Sequence, residues 1–103
     1  MRSLAPSELA EVLGQVVVVD LRPHPTPLPA SWQPVRQVNF EKIQTGDHGL
    51  PRERPLLLVC ERGILSELAG LYLELEGFQV YHLEGGLQSL KGSVKEATDE
   101  PLP

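Results

Sequence analysis

Val16-Val17-Val18-Val19 is an unbroken block of β-branched residues, and it restricts this chain more than any other stretch. Such side chains are stiff at χ1 and fit a pleated strand better than a helix. A strand with one wet face alternates apolar and polar residues, but this run has no polar member before Asp20. It therefore belongs at the centre of a sheet covered on both sides. A second block, Leu56-Leu57-Leu58-Val59, ends on Cys60. From Ile64 the apolar positions recur at Leu68, Leu71, Tyr72 and Leu75, the spacing of one helix face, so 56–75 reads as strand, loop and helix. Gly77 stops that helix, and Gln79 to Leu83 supplies a further strand. Strands alternating with short helices predict an α/β fold with a largely parallel central sheet and helices on both faces.

The remaining segments fit around this frame. Pro6 suits a first helical position and Gly14 a stop, so a short helix with Leu9, Val12 and Leu13 on one face is expected to pack on the sheet. Residues 23–34 hold five of the ten prolines; that density predicts an extended, stiffened loop over the sheet rim, with Trp32 as a packing anchor. Val35 to Asn39 is expected as a short strand and Phe40 to Asp47 as a short helix or turn. Arg52, Glu53 and Arg54 read as a solvated charge cluster. Glu84-Gly85-Gly86 opens a last short helix, and two adjacent glycines let the backbone pass close to a neighbour, for which the Cys60 loop is the candidate.

The chain's 103 residues suit one domain, assigned to 1–92, followed by a flexible tail over 93–103. A net charge of −5 argues against a nucleic-acid partner, which needs a basic face. No apolar run approaches the roughly 18 residues of a membrane helix, and no signal peptide is visible, so no membrane association and a cytoplasmic location are expected. One cysteine excludes an internal disulfide framework and fits a reducing compartment. His24, His48 and His82 show no ligand-like spacing, so neither a metal nor another cofactor is expected.

Cys60 sits where a strand hands over to a helix N-terminus. The first amides of a helix lack intrahelical partners and carry partial positive charge, so they stabilise an anion at their end. The anionic form of a cysteine is its nucleophilic form. Arg62 adds a nearby cation, and Gly63 lets successive N–H groups turn toward one point. Asp20 and Arg22 follow the valine strand and are expected on the same rim, since ligands of parallel sheets gather beyond strand carboxyl ends. For Asp20 the expected role is a structural ion pair or loop cap. A lone cysteine after four apolar residues is equally a small core hydrophobe, and these residues by themselves leave both readings open.

Three markers in this order resemble the rhodanese-like sulfurtransferases, over roughly Leu4 to Lys91: Asp20-Leu21-Arg22 after a valine strand, the Cys60-Glu61-Arg62-Gly63 loop, and the Glu84-Gly85-Gly86-Leu87 turn. The resemblance implies a Cys60 nucleophile that takes a sulfane sulfur from a small-molecule donor, such as thiosulfate or a persulfide, and passes it to a thiophilic acceptor such as cyanide or a thiol. A protein persulfide donor or acceptor is a further candidate partner. The resemblance also implies that the persulfide rests among the N–H groups of Glu61, Arg62, Gly63, Ile64, Leu65 and Ser66, that Arg62 and Arg22 serve anionic substrate, and that Asp20, Gly85 and Gly86 support the site. Phosphatases and arsenate reductases of related fold close a longer loop with an arginine, where this chain has Ser66, so they rank below sulfur transfer. A rhodanese-like module that binds a partner protein without catalysis is the alternative from another class. Leu65 replaces a hydroxyl or an arginine of many members, and Glu61 sets a carboxylate beside the cysteine. Leu90 stands where many members carry a tryptophan, and the proline-rich loop lacks the usual Gly-His-Ile-Pro-Gly-Ala pattern.

Overall fold

The computed structural model describes residues 1–90; the tail assigned to 93–103 lies outside them. Strands β1 (Arg2–Leu4), β2 (Val17–Asp20), β3 (Val35–Gln37), β4 (Leu56–Val59) and β5 (Val80–Leu83) form one sheet in the order β1-β5-β4-β2-β3. Every pairing is parallel. The valine run is central as its pattern requires: β2 lies between β4 and β3, and all four of its residues are buried. Val16, expected within the strand, is buried just before it.

Helices cover both faces. On one side α2 (Phe40–Thr45) and α3 (Ile64–Leu75) bring Ile43, Ala69 and Leu73 onto Val17, Val19, Leu56 and Leu58. On the other, α1 (Leu9–Val12) and a helical segment over 86–90 (α4) bring Leu9 and Leu87 onto Val16, Val18, Leu57 and Val59. Alternate residues of the same strands feed opposite cores, which is why the apolar runs show no alternation. Trp32 packs in the second core and is 6% exposed, as expected of an anchor.

Three local expectations are corrected. The proline-rich stretch contains one 3-10 turn, Ala30–Trp32, closed by Trp32 N–H donating to Pro29 O at 2.9 Å; proline lacks the donor but keeps the acceptor. Arg52 and Arg54 are not merely solvated. Arg52 lies 4.1 Å over the Phe78 ring and donates to Glu76 O, while Arg54 donates to Gly14 O. The third concerns α3, whose apolar residues at 64, 68, 71, 72 and 75 do share a face, but it is the outward one. Ser66, Ala69, Gly70 and Leu73 are buried instead. Small residues bring the helix axis close to the sheet, and Gly70 leaves room for the Met1 thioether, which a Cβ would strike.

Candidate active site

The parallel register sets the site. Asp20 lies opposite Val59, so β2 and β4 end level, and Arg22 and Cys60 emerge on one rim, as the sequence predicts. After Cys60 the chain turns through Glu61 and Arg62 to Gly63, whose φ of +89° is a conformation that favours glycine. Helix α3 then begins.

This turn aims two backbone donors at one atom. Gly63 N–H and Ser66 N–H donate to Cys60 Sγ at 3.2 and 3.3 Å. The Ser66 hydroxyl, fully buried, donates to Gly63 O at 3.2 Å and ties the loop across its base. The sulfur is thus the acceptor of converging amides at a helix N-terminus, where negative charge is stabilised. Cys60 is 4% exposed, yet it is not sealed in the core: it lines a cleft of about 230 Å³ together with Arg22, Pro23, Glu61, Arg62, Ile64 and Leu65.

The glycine pair holds the loop from behind. A Cβ on Gly86 would stand 2.5 Å from Glu61 O, 2.5 Å from Gly63 N and 2.6 Å from Arg62 C. Only a residue without a side chain allows that approach. Leu87 N–H donates to Cys60 O (2.8 Å) and Gln88 N–H to Glu61 O (2.9 Å). The first turn of α4 therefore takes up the Cys60 and Glu61 carbonyls, while the Gly63 and Ser66 N–H groups face the sulfur.

Arg22 lines the cleft and is at the same time tied into the fold. Its guanidinium donates to Asp20 Oδ1 (3.0 Å) and Oδ2 (2.9 Å) in a bidentate pair, and to Thr26 Oγ1 (3.1 Å) and Thr26 O (2.7 Å). Those bonds use four of its five N–H donors. The Asp20 hydrogen bond, with the attraction of the Asp20 and Glu61 carboxylates, raises its pKa above the ordinary value, while burial pulls the other way. Arg22 thus clamps the proline-rich loop to the end of β2, and Asp20, 2% exposed, is the structural ion-pair partner anticipated. Arg62 and Glu61 are exposed on the loop, and Leu65 is half-buried against the α3-side core.

A second cleft of about 430 Å³ adjoins the first and shares Arg22, Pro23 and Glu61 with it; His24, Thr26 and Leu87 complete its lining. By spacing alone His24 is one of three unrelated histidines. Its signal is position, two residues after Arg22 at the end of a central strand. His48 and His82 lie elsewhere: His48 Nε2 is 2.9 Å from Glu76 Oε1, and His82 Nε2 is 2.9 Å from Ser3 Oγ. Among the described residues no three His, Cys, Asp or Glu side chains converge as a metal site would require. No helix among them is long and apolar enough to cross a membrane.

No protein-family model matches the chain. A crystal structure of a rhodanese homologue from Thermus thermophilus is similar at 57% identity and a TM-score of 0.76, over 85% of this chain and 99% of that one. A rhodanese-related protein from Thermoplasma volcanium, 21% identical over 90% and 93% of the two chains with a TM-score of 0.73, shares the fold. The tRNA sulfurtransferase of Aeromonas hydrophila is 36% identical over 73 residues, 67% of this chain. The chain spans 15% of the length of that relative.

Proposed function

The chain belongs to the rhodanese family, and we propose that it is a sulfurtransferase in which Cys60 carries a sulfane sulfur between a donor and a thiophilic acceptor. The observation that carries this reading is the convergence of Gly63 and Ser66 N–H on Cys60 Sγ. The sulfurtransferase name of the partial relatives supports it.

With thiosulfate as donor, the Cys60 thiolate attacks the outer sulfur. A Cys60 Sγ–S bond forms, the S–S bond of thiosulfate breaks, and sulfite leaves with the electron pair. Cyanide then attacks the terminal sulfur, and thiocyanate departs as the electron pair returns to Cys60 Sγ. The negative charge that the enzyme keeps through both steps is on sulfur, first the thiolate and then the persulfide, where preorganised amides stabilise it without reorganisation. Arg62 attracts an anionic donor at the mouth; Asp20, Arg22, Gly85 and Gly86 position the walls and the loop. The loop closes on Ser66, whose hydroxyl is bound to Gly63 O, so the grip of an arginine fork on a tetrahedral oxyanion is missing and phosphoryl chemistry is disfavoured. A lone thiol of this kind stays reduced in the cytoplasm, where we place the reaction.

The test is the mass of the intact protein after exposure to thiosulfate and, separately, to a low-molecular-weight persulfide. One added sulfur, removed by cyanide and missing in Cys60→Ser, is expected. If neither donor adds sulfur to the wild-type chain, the enzymatic reading is wrong and a partner-binding module stands in its place.

A further inference from the structure

Five large apolar residues of α3 face solvent: Ile64 is 66% exposed, Leu68 46%, Leu71 52%, Tyr72 38% and Leu75 87%. At 3.6 residues per turn they fall within an arc of about 100°, a continuous stripe rather than scattered exposure. Single exposed leucines need no explanation, but contiguous ones mark interaction sites. The stripe begins at the reactive sulfur, because Ile64 both heads it and lines the Cys60 cleft. From there it runs to Leu75, about 16 Å along the helix at 1.5 Å per residue. A small sulfur donor uses the cleft and never reaches Leu68, Leu71 or Leu75.

Arg62 stands at the head of the stripe, but the charges that α3 itself carries beside it are acidic. Glu67 and Glu74 lie along a single flank, Glu74 also taking the Met1 amine, and α3 contains no lysine or arginine. Resting on the sulfur-transfer reading above, we propose that this face docks a protein partner whose own cysteine exchanges sulfur with Cys60, through an apolar helical ridge flanked by lysine or arginine. A second copy of the chain fits less well. In an antiparallel two-fold pair of α3 helices the same flank meets itself, setting Glu67 against Glu74, between two chains of net charge −5. In the transfer step the docked thiolate attacks the outer sulfur of the Cys60 persulfide. An S–S bond forms on the partner as the Cys60 Sγ–S bond breaks, the electron pair returns to Cys60, and the partner leaves as the persulfide without any external oxidant.

The probe is a helical peptide of about 18 residues with leucines at i, i+3 and i+4 spacing, lysines along one flank and a cysteine beyond its end. Its counterpart carries glutamates for the lysines. Binding is read by fluorescence anisotropy on the Cys60→Ser chain, and transfer by the mass gained by the peptide from the wild-type persulfide. The lysine peptide should bind and accept sulfur at least about tenfold better than the glutamate peptide, a difference that one interface cluster readily supplies. The triple variant Leu68→Ser, Leu71→Ser, Leu75→Ser should erase that preference while thiosulfate-to-cyanide turnover stays at the wild-type rate, and Glu67→Lys should narrow it. Equal handling of the two peptides overturns the proposal. So does a wild-type dimer in sedimentation that the triple variant dissociates, since the face then belongs to a second copy. Failure of Cys60 to gain sulfur in the mass test above removes the transfer role through a separate measurement, whatever the anisotropy reads.

Discussion

Gly86→Ala probes how the sulfur loop is held, because the structure specifies both what the added carbon meets and what backbone it needs. Gly86 has φ +69°, a left-handed conformation that costs an L-residue about 1–2 kcal/mol. The new Cβ would also stand 2.5 to 2.6 Å from Glu61 O, Gly63 N and Arg62 C. These are backbone atoms of a loop fastened at both ends, and unlike the tip of a long side chain they cannot swing aside. Overpacking of that kind adds about 1–3 kcal/mol. Together the substitution should cost about 2–5 kcal/mol, which at about 4 °C per kcal/mol for a domain of this size lowers Tm by roughly 8–20 °C. Relief of the clash must move the loop away from α4, so the donors at 63 and 66 lose their aim at Cys60 Sγ. A misplacement on the order of 1 Å is enough to cost about 100-fold in rate. Urea unfolding and the rate of sulfur uptake from thiosulfate measure the two effects. Gly85→Ala is the milder case, since φ is +76° there and the nearest contact is the Ser89 side chain, Cβ at 3.1 Å, rather than loop backbone; it should lose about 1–2 kcal/mol and leave the aim of the loop amides in place. Gly14→Ala, with nothing within 4 Å, should leave uptake unchanged. A Gly86→Ala chain within about 1 kcal/mol of wild type, taking up sulfur at the normal rate, would refute the close-approach reasoning.

Three further substitutions separate the parts of the site. Arg62→Ala should slow sulfur uptake from thiosulfate about tenfold and flatten its dependence on ionic strength, with a smaller effect on a persulfide donor, whose sulfur carries one negative charge against the two of thiosulfate; stopped reactions weighed by mass spectrometry at two salt concentrations check this. Arg22→Ala leaves the Asp20 carboxylate, with its side chain 1% exposed, without its partner, so urea unfolding should show a loss of about 3 kcal/mol. Amide hydrogen exchange at His24, Thr26 and Leu28, which alone among 23–29 carry an N–H, should rise as the Thr26 anchor is lost. His48→Ala removes the contact to Glu76 and the acceptor of Leu50 N–H, far from Cys60; it should cost about 1–2 kcal/mol while sulfur uptake holds its wild-type rate.

Much of this molecule is a local property of its chain. The valine run and the leucine run ending at Cys60 announce buried parallel strands because their side chains must serve two cores. Gly63 announces a turn that aims amides at one point and Gly85-Gly86 a close backbone approach, because glycine tolerates what a side chain would not, and the structure brings all three together behind one sulfur. Arg22 shows where such reading stops. Its place on the rim was legible, but its commitment to Asp20 and Thr26 depends on how the proline-rich loop folds back. His24 joined the cleft for the same reason.

Helix α3 draws the boundary most sharply. Periodicity in the amino acids determined that Ile64, Leu68, Leu71, Tyr72 and Leu75 stand on one side of a helix, since that follows from 3.6 residues per turn alone. Which side turns inward is a matter of how near the helix can come to the sheet. The small residues Ser66, Ala69 and Gly70 allow the closer approach, so the fold buried them with Leu73 and left the larger apolar stripe in water beside Cys60.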